Sequence, residues 1–213
     1  MTGPSRAMAD IMAMAPVVPV VVLEDLKAAI PMAEALVSGG LPVIEVTLRT
    51  PVGLDAIYEI SRAVPGAVVG AGTVNRPEQL VDSLEAGAKF IVSPGATPSL
   101  VYAASSAAVP YLPGAATASE MLALLEEGIS HQKFFPAEAS GGVASLKSFA
   151  APLAEVKFCP TGGIDAKSAE DYLALPNVVC VGGSWVTPTK HVQAGNWDKI
   201  EDLARAAAKL GKS

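Results

Sequence analysis

The chain is poor in the residues from which metal and redox sites are usually built. Its 213 residues include only two histidines, His131 and His191, and two cysteines, Cys159 and Cys180. A catalytic zinc site usually needs more His or Cys than this, so metal-dependent hydrolysis or lysis is disfavoured, and neither a metal nor another cofactor is expected. The two cysteines lie far apart, with neither metal-ligand spacing nor a disulfide framework, which fits a reducing compartment. Charge is sparse as well, at 17% of residues, with a net charge of −6. No run of Lys or Arg forms a basic stripe, which argues against nucleic acid as a partner. A long apolar run is also missing. Residues 7–23 are mostly apolar, but Asp10, Pro16 and Pro19 interrupt them and only Arg6 supplies a basic flank. That pattern predicts a short N-terminal helix leading into a strand rather than a signal peptide. No uncharged apolar stretch reaches the ~20 residues that span a bilayer, so the expectation is a soluble cytoplasmic protein with no membrane partner.

Apolar residues are plentiful, at 51%, enough for one domain over 1–213 with a sizeable core. They are arranged rhythmically. Short β-branched runs cover Val17–Val22, Val43–Val46, Val68–Ala71, Phe90–Ser93, Tyr111–Leu112, Lys133–Phe135, Val156–Cys159 and Val178–Val181. Each ends near Gly, Pro or Thr and is followed by room for a helix. Leu26–Val37 has helical periodicity and ends at Gly39-Gly40; Pro77–Ala86 starts on proline and ends at Gly87; Ser119–Glu127 ends at Gly128. Eight strand–helix units predict an α/β fold, a single (β/α)8 TIM barrel with a short N-terminal helix.

In such a fold, polar residues at alternate strand positions point inward. Glu45, Thr47 and Arg49 share one face of the second strand, opposite Ile44, Val46 and Leu48. On the third strand Thr73 follows Val69 and Ala71 on one face; on the sixth, Lys133 is in phase with Phe135; on the seventh, Thr161 with Cys159. Arg49, Thr73 and Thr161 fall near strand C-terminal ends, where barrel sites lie.

Lys133 is the candidate nucleophile. Burial favours the neutral form of an amine, and a neutral amine attacks carbonyls to give a Schiff base. Lys157-Phe158-Cys159-Pro160 repeats the Lys-Phe-x-Pro pattern around Lys133, so local pattern leaves both lysines open. Glu45 is the candidate general acid/base, the alternative being a structural ion pair with Arg49 or the lysine. Arg49 is the candidate carboxylate clamp, its fork matching a carboxylate. Thr161-Gly162-Gly163 and Gly182-Gly183-Ser184 are the candidate phosphate cradle, since backbone N–H groups at units seven and eight often hold phosphate. Each glycine pair could equally be a tight turn. Besides a Schiff-base aldolase, the residues admit a sugar-phosphate isomerase or epimerase, or a non-catalytic phospho-ligand binder.

Glu45-Val46-Thr47-Leu48-Arg49-Thr50, Gly70-Ala71-Gly72-Thr73-Val74, Ser93-Pro94-Gly95, Lys133-Phe134-Phe135-Pro136-Ala137-Glu138, Phe158-Cys159-Pro160-Thr161-Gly162-Gly163-Ile164 and Val181-Gly182-Gly183-Ser184-Trp185 together resemble the 2-keto-3-deoxy-6-phosphogluconate (KDPG) aldolases. The resemblance runs from about Pro16 to the C-terminus. It implies a metal-free, homotrimeric class I aldolase of the Entner–Doudoroff pathway. Such an enzyme splits 2-dehydro-3-deoxy-6-phosphogluconate into pyruvate and glyceraldehyde 3-phosphate, often with activity on 4-hydroxy-2-oxoglutarate. It also implies Lys133 as the Schiff-base lysine and Glu45 as the acid/base. Arg49 and Thr73 would hold the pyruvyl carboxylate, Pro94 and Phe135 would line the pocket, and Gly162, Gly163 and Ser184 would receive the phosphate. Gly114-Ala115-Ala116-Thr117 and Asn75-Arg76 depart from the family pattern without touching these residues.

Overall fold

Strands and helices alternate through the described residues, 4–211, of the computed structural model. The strands are β1 (Val17–Val21), β2 (Val43–Thr47), β3 (Val68–Gly72), β4 (Ile91–Val92), β5 (Tyr111–Leu112), β6 (Gly114–Ala115), β7 (His131–Phe134), β8 (Lys157–Pro160) and β9 (Val181–Gly183). The helices are α1 (Pro4–Met12), α2 (Ala29–Ser38), α3 (Gly53–Ala63), α4 (Pro77–Glu85), α5 (Pro98–Ser106), α6 (Ala118–Glu126), α7 (Gly142–Phe149), α8 (Ala169–Leu173), α9 (Thr189–Gln193) and α10 (Trp197–Ala207). The expected domain, 1–213, exceeds the described residues by 1–3 and 212–213.

Local chemistry explains the boundaries. Pro77 and Pro98 open α4 and α5, where a missing N–H costs nothing. Thr117 and Glu120 form a reciprocal capping box at the start of α6. Gly40, Gly87 and Gly128 take positive φ just after α2, α4 and α6. The predicted helix from Leu26 is shorter than its periodicity suggested: Leu26–Ala28 is a 3-10 turn capped by Asp25, and α2 begins at Ala29.

The closed eight-stranded barrel is corrected by the ladders. Parallel pairing gives a curled six-stranded sheet, β5-β4-β3-β2-β1-β9, and a separate three-stranded sheet, β6-β7-β8. The continuous structure is therefore a six-stranded half-barrel. The expected fifth strand, Tyr111–Leu112, pairs with β4, and after Pro113, which has no N–H to donate, Gly114 and Ala115 form a further strand that pairs with β7. The last strand begins later than expected, at Val181. Among the described residues, isolated bridges, Phe158↔Val178 and Thr161↔Gly182, link its segment to β8 and the residue after it.

The strands are buried on both faces, as parallel sheets covered by helices must be. Ile44, Val46, Val69 and Ala71 belong to the core beneath the helices. Val18, Val43, Phe90 and Leu112 form a second cluster on the concave side, joined by Met8 and Met12 of α1. The N-terminal helix thus seals that cluster with its two buried methionines. Among the described residues no helix is long and apolar enough to cross a membrane.

Candidate active site

Alternation along β2 sends Val43, Glu45 and Thr47 to the concave side and Ile44 and Val46 to the helices. Thr47 donates its hydroxyl to the Val21 carbonyl at 2.9 Å, tying β2 to β1. Glu45 instead reaches across the interior to β7. Lys133 Nζ lies 3.1 Å from Glu45 Oε1 and 3.4 Å from Oε2. Both residues are almost sealed from water, Glu45 at 2% and Lys133 at 3% exposure. β2 and β7 belong to different sheets, so this ion pair spans the concave interior. Burying a charge is tolerable only when it is paired and hydrogen-bonded, which each partner supplies to the other. The ring of Phe135 closes another side, with Lys133 Nζ 5.3 Å from its centroid.

Room for the carboxylate comes from β3. A Cβ on Gly72 would collide with the Glu45 carboxyl group, and one on Gly70 would enter the Phe90 ring. The Gly-x-Gly spacing of Gly70 and Gly72 keeps the concave side of β3 free of side chains beside Glu45 and Phe90. This also corrects the expected phase of Thr73, since Val69 and Ala71 face the helices. Thr73 reaches the site through its backbone instead, with φ at 60°. A β-branched residue there is strained, and such strain is typical of functional loops. Its hydroxyl oxygen accepts from Arg49 Nε at 3.1 Å.

A cleft of about 470 Å³ opens at the C-terminal ends of the strands, and Arg49, Phe135, Thr161, Gly162, Gly163 and Ser184 all line it. Gly162 and Gly163 have φ of +106° and +82°, left-handed values that only glycine adopts without strain. Gly182 is small for a different reason: a Cβ there would meet the Thr161 side chain. The N–H groups of Gly163, Ile164 and Ser184 donate no hydrogen bond among the described residues. They leave donors at the cleft that an anionic group can accept from.

Of the residues expected at the site, Lys133 and Glu45 meet in the interior, and Arg49, Phe135, Thr161, Gly162, Gly163 and Ser184 share the cleft. Thr73 joins through Arg49. Pro94 is not part of the cleft lining; it lies against Gly114, which is the β6 partner of Lys133 in register. Lys157 is separated from all of them. It stands level with His131 at the start of β7, and its Nζ donates to the Pro176 carbonyl at 3.2 Å. Burial and the Lys157 charge lower the pKa of His131, keeping that imidazole neutral. Sequence reading missed Val20, Val22, Thr187, Pro188 and Thr189, which also line the cleft. Thr187-Pro188-Thr189 follows the second glycine pair closely, a positional signal that was available. No group of three or more His, Cys, Asp or Glu able to hold a metal occurs among the described residues.

The family model for KDPG and KHG aldolases matches residues 8–203. A KHG/KDPG aldolase of Escherichia coli is 50% identical over 203 residues, covering 95% of each chain. The crystal structure of a KDPG aldolase from Legionella pneumophila, with pyruvate captured as a covalent carbinolamine intermediate, superposes with a TM-score of 0.92 at 45% identity, over 97% of this chain and 98% of the other. A Zymomonas mobilis 2-keto-3-deoxy-6-phosphogluconate aldolase solved with 3-phosphoglycerate gives a TM-score of 0.92 at 48% identity, over 97% of each chain.

Proposed function

Because the chain belongs to the KDPG and KHG aldolase family, whose members are carbon–carbon lyases, we propose that it is a class I aldolase working through Lys133. It cleaves 2-dehydro-3-deoxy-6-phosphogluconate to pyruvate and glyceraldehyde 3-phosphate. It also acts on 4-hydroxy-2-oxoglutarate, which presents the same 2-keto acid to the site. The observation that carries the assignment of roles is the Lys133–Glu45 pair, a buried amine beside a buried carboxylate at 3.1 Å.

The chemistry follows from this pair. Glu45 takes a proton from Lys133, and the free amine adds to the C2 ketone. Glu45 returns a proton to the carbinolamine hydroxyl, which leaves as water. The resulting iminium draws electrons from the C3–C4 bond. Glu45, through a water, removes the C4 hydroxyl proton, and the bond breaks to release the aldehyde. The enamine is protonated at C3, and hydrolysis of the imine gives pyruvate and regenerates Lys133. Arg49, steadied by Thr73, binds the substrate carboxylate as a fork. Phe135 bounds the apolar side of the pocket, and Pro94 stands behind it against Gly114, the β6 partner of Lys133. Thr161, Gly162, Gly163 and Ser184 take the phosphate end, where free amides are the available donors. The sequence resemblance supports a cytoplasmic homotrimer built from one catalytic domain per chain. An isomerase, an epimerase or a phospho-ligand binder has no need of a sealed lysine–glutamate pair, and the family does not favour them.

The direct test is incubation with the phosphorylated substrate and enzymatic detection of pyruvate; absence of pyruvate release overturns the reading. Chelators are expected to leave the rate unchanged, because iminium formation replaces a Lewis acid in activating the ketone. Loss of activity with EDTA that zinc or another divalent ion restores would contradict this. kcat/KM is expected to be higher for the 6-phosphorylated substrate than for its dephosphorylated analogue. Ser184→Ala is expected to weaken that preference by about 1–2 kcal/mol, the scale of one hydrogen bond to a charged group. Equal kcat/KM for both substrates in the unmutated protein means that the glycine pairs are only turns.

A further inference from the structure

The turn carrying Gly162 and Gly163 is gripped from outside the cleft. Ala137 N–H donates to the Thr161 carbonyl at 2.8 Å, and Glu138 N–H donates to the Gly162 carbonyl at 3.1 Å. The Glu138 side chain then lies over Gly163, where an added Cβ would collide with its Cβ and Cγ. Glu138 is exposed, and a free glutamate would sample many rotamers in water. This one is held, because Tyr172 of α8 donates its phenol hydrogen to Glu138 Oε1. Tyr172 itself is wholly buried. Gly142, at φ +56°, leaves space for the phenol: a Cβ there would stand 3.0 Å from its oxygen. Burial first, and then the Glu138 hydrogen bond and charge, push the Tyr172 pKa up, so the phenol remains a donor.

We propose that Tyr172 and Glu138 form a clamp that fixes the Gly162-Gly163 turn, making both of them positioning residues for the phosphate end of the substrate. Ala137 and Glu138 hold the turn directly, and Tyr172 of α8, the helix that follows the turn in the chain, holds Glu138 in its place. The hydrogen bond has a second effect. It keeps the Glu138 carboxylate turned to the phenol, limiting its repulsion of a phosphate arriving at the Gly163 amide. The clamp rests on the cradle reading given under Proposed function. It contains no residue of the imine chemistry, so its loss should be felt at one end of the substrate only.

Tyr172→Phe keeps the buried ring and removes the hydroxyl. KM for the 6-phosphorylated substrate is expected to rise about tenfold, as when one hydrogen bond to a charged group is lost, with kcat little changed. kcat/KM for the dephosphorylated analogue, and the rate of borohydride trapping with pyruvate, are expected to stay at the unmutated level. Glu138→Gln retains an acceptor for the phenol and is expected to preserve most of the affinity. Glu138→Ala should reproduce the effect of Tyr172→Phe, and the double variant should be no worse than either. If Tyr172→Phe lowers kcat/KM for both substrates by the same factor, the pair is structural and the proposal fails. If the phosphorylated substrate keeps its full advantage in Tyr172→Phe, the clamp fails while the cradle stands. If the unmutated protein shows no preference for phosphate, the cradle fails and takes the clamp with it.

Discussion

Borohydride added in the presence of pyruvate is expected to fix a reduced pyruvyl group on Lys133 and on no other lysine. Trapping requires an amine that is neutral when it meets the ketone, a neighbour that moves protons, and access for a three-carbon acid. Lys133 has the neighbour in Glu45, at 3.1 Å, and Phe135, which packs near its ammonium, lines the cleft above. Lys157 has neither: its Nζ is bonded to the Pro176 carbonyl, and its charge helps keep His131 neutral. Lys133→Met should abolish trapping and lower the cleavage rate by at least roughly 10⁴-fold, since without the nucleophile only binding and polarisation remain. Intact mass followed by peptide mapping reads the result. An adduct on Lys157, or none at all, removes the basis for the Schiff-base mechanism.

The contest between the two lysines shows where sequence legibility stops. Both sit in a Lys-Phe-x-Pro pattern, and each faces the interior by strand phase. What separates them is register: Lys157 pairs with His131, whereas Lys133 pairs with Cys159, two residues further along β8. Register is a long-range property that a local pattern does not encode. The inner face of β2 was legible, because Glu45 and Thr47 alternate with Ile44 and Val46 in a strand buried on both sides. The phase of β3 was not, because the inward residues beside the site are Gly70 and Gly72, which leave no side-chain signal, and Thr73 arrives by a positive φ. The strand–helix rhythm was readable from its Gly and Pro punctuation. The closed eight-stranded barrel was not the outcome, because the rhythm counts strands but does not say which pair. A further strand, Gly114–Ala115, follows Pro113 into the second sheet, and the last ladder starts three residues later than its β-branched run. The Glu138–Tyr172 bond joins residues with no shared periodicity and had no sequence signature at all.

Glu45→Gln is expected to lower kcat by ~10²–10⁴-fold, the usual worth of a positioned acid–base group. The amide keeps the shape that Gly72 makes room for, and it can still accept a hydrogen bond from Lys133. It cannot take the proton that frees the amine, nor return one to the carbinolamine. Pyruvate affinity should fall much less than turnover, because Arg49 and Thr73, which meet at 3.1 Å, are untouched. Stability must be measured alongside. Removing one partner of a buried pair leaves the other charge uncompensated, at a cost of about 3–5 kcal/mol. The substituted amide offers a dipole in place of a charge, so part of that cost is expected to appear as a lower unfolding midpoint. The two effects separate experimentally: a loss of stability reduces the folded fraction and therefore the total activity, while kcat per active site, counted from the folded fraction in the unfolding curve, reports chemistry alone. Slow turnover per folded site identifies Glu45 as the proton shuttle. Near-normal turnover per site, with a lowered midpoint, instead makes the 3.1 Å contact a structural ion pair and moves the proton transfers to another group.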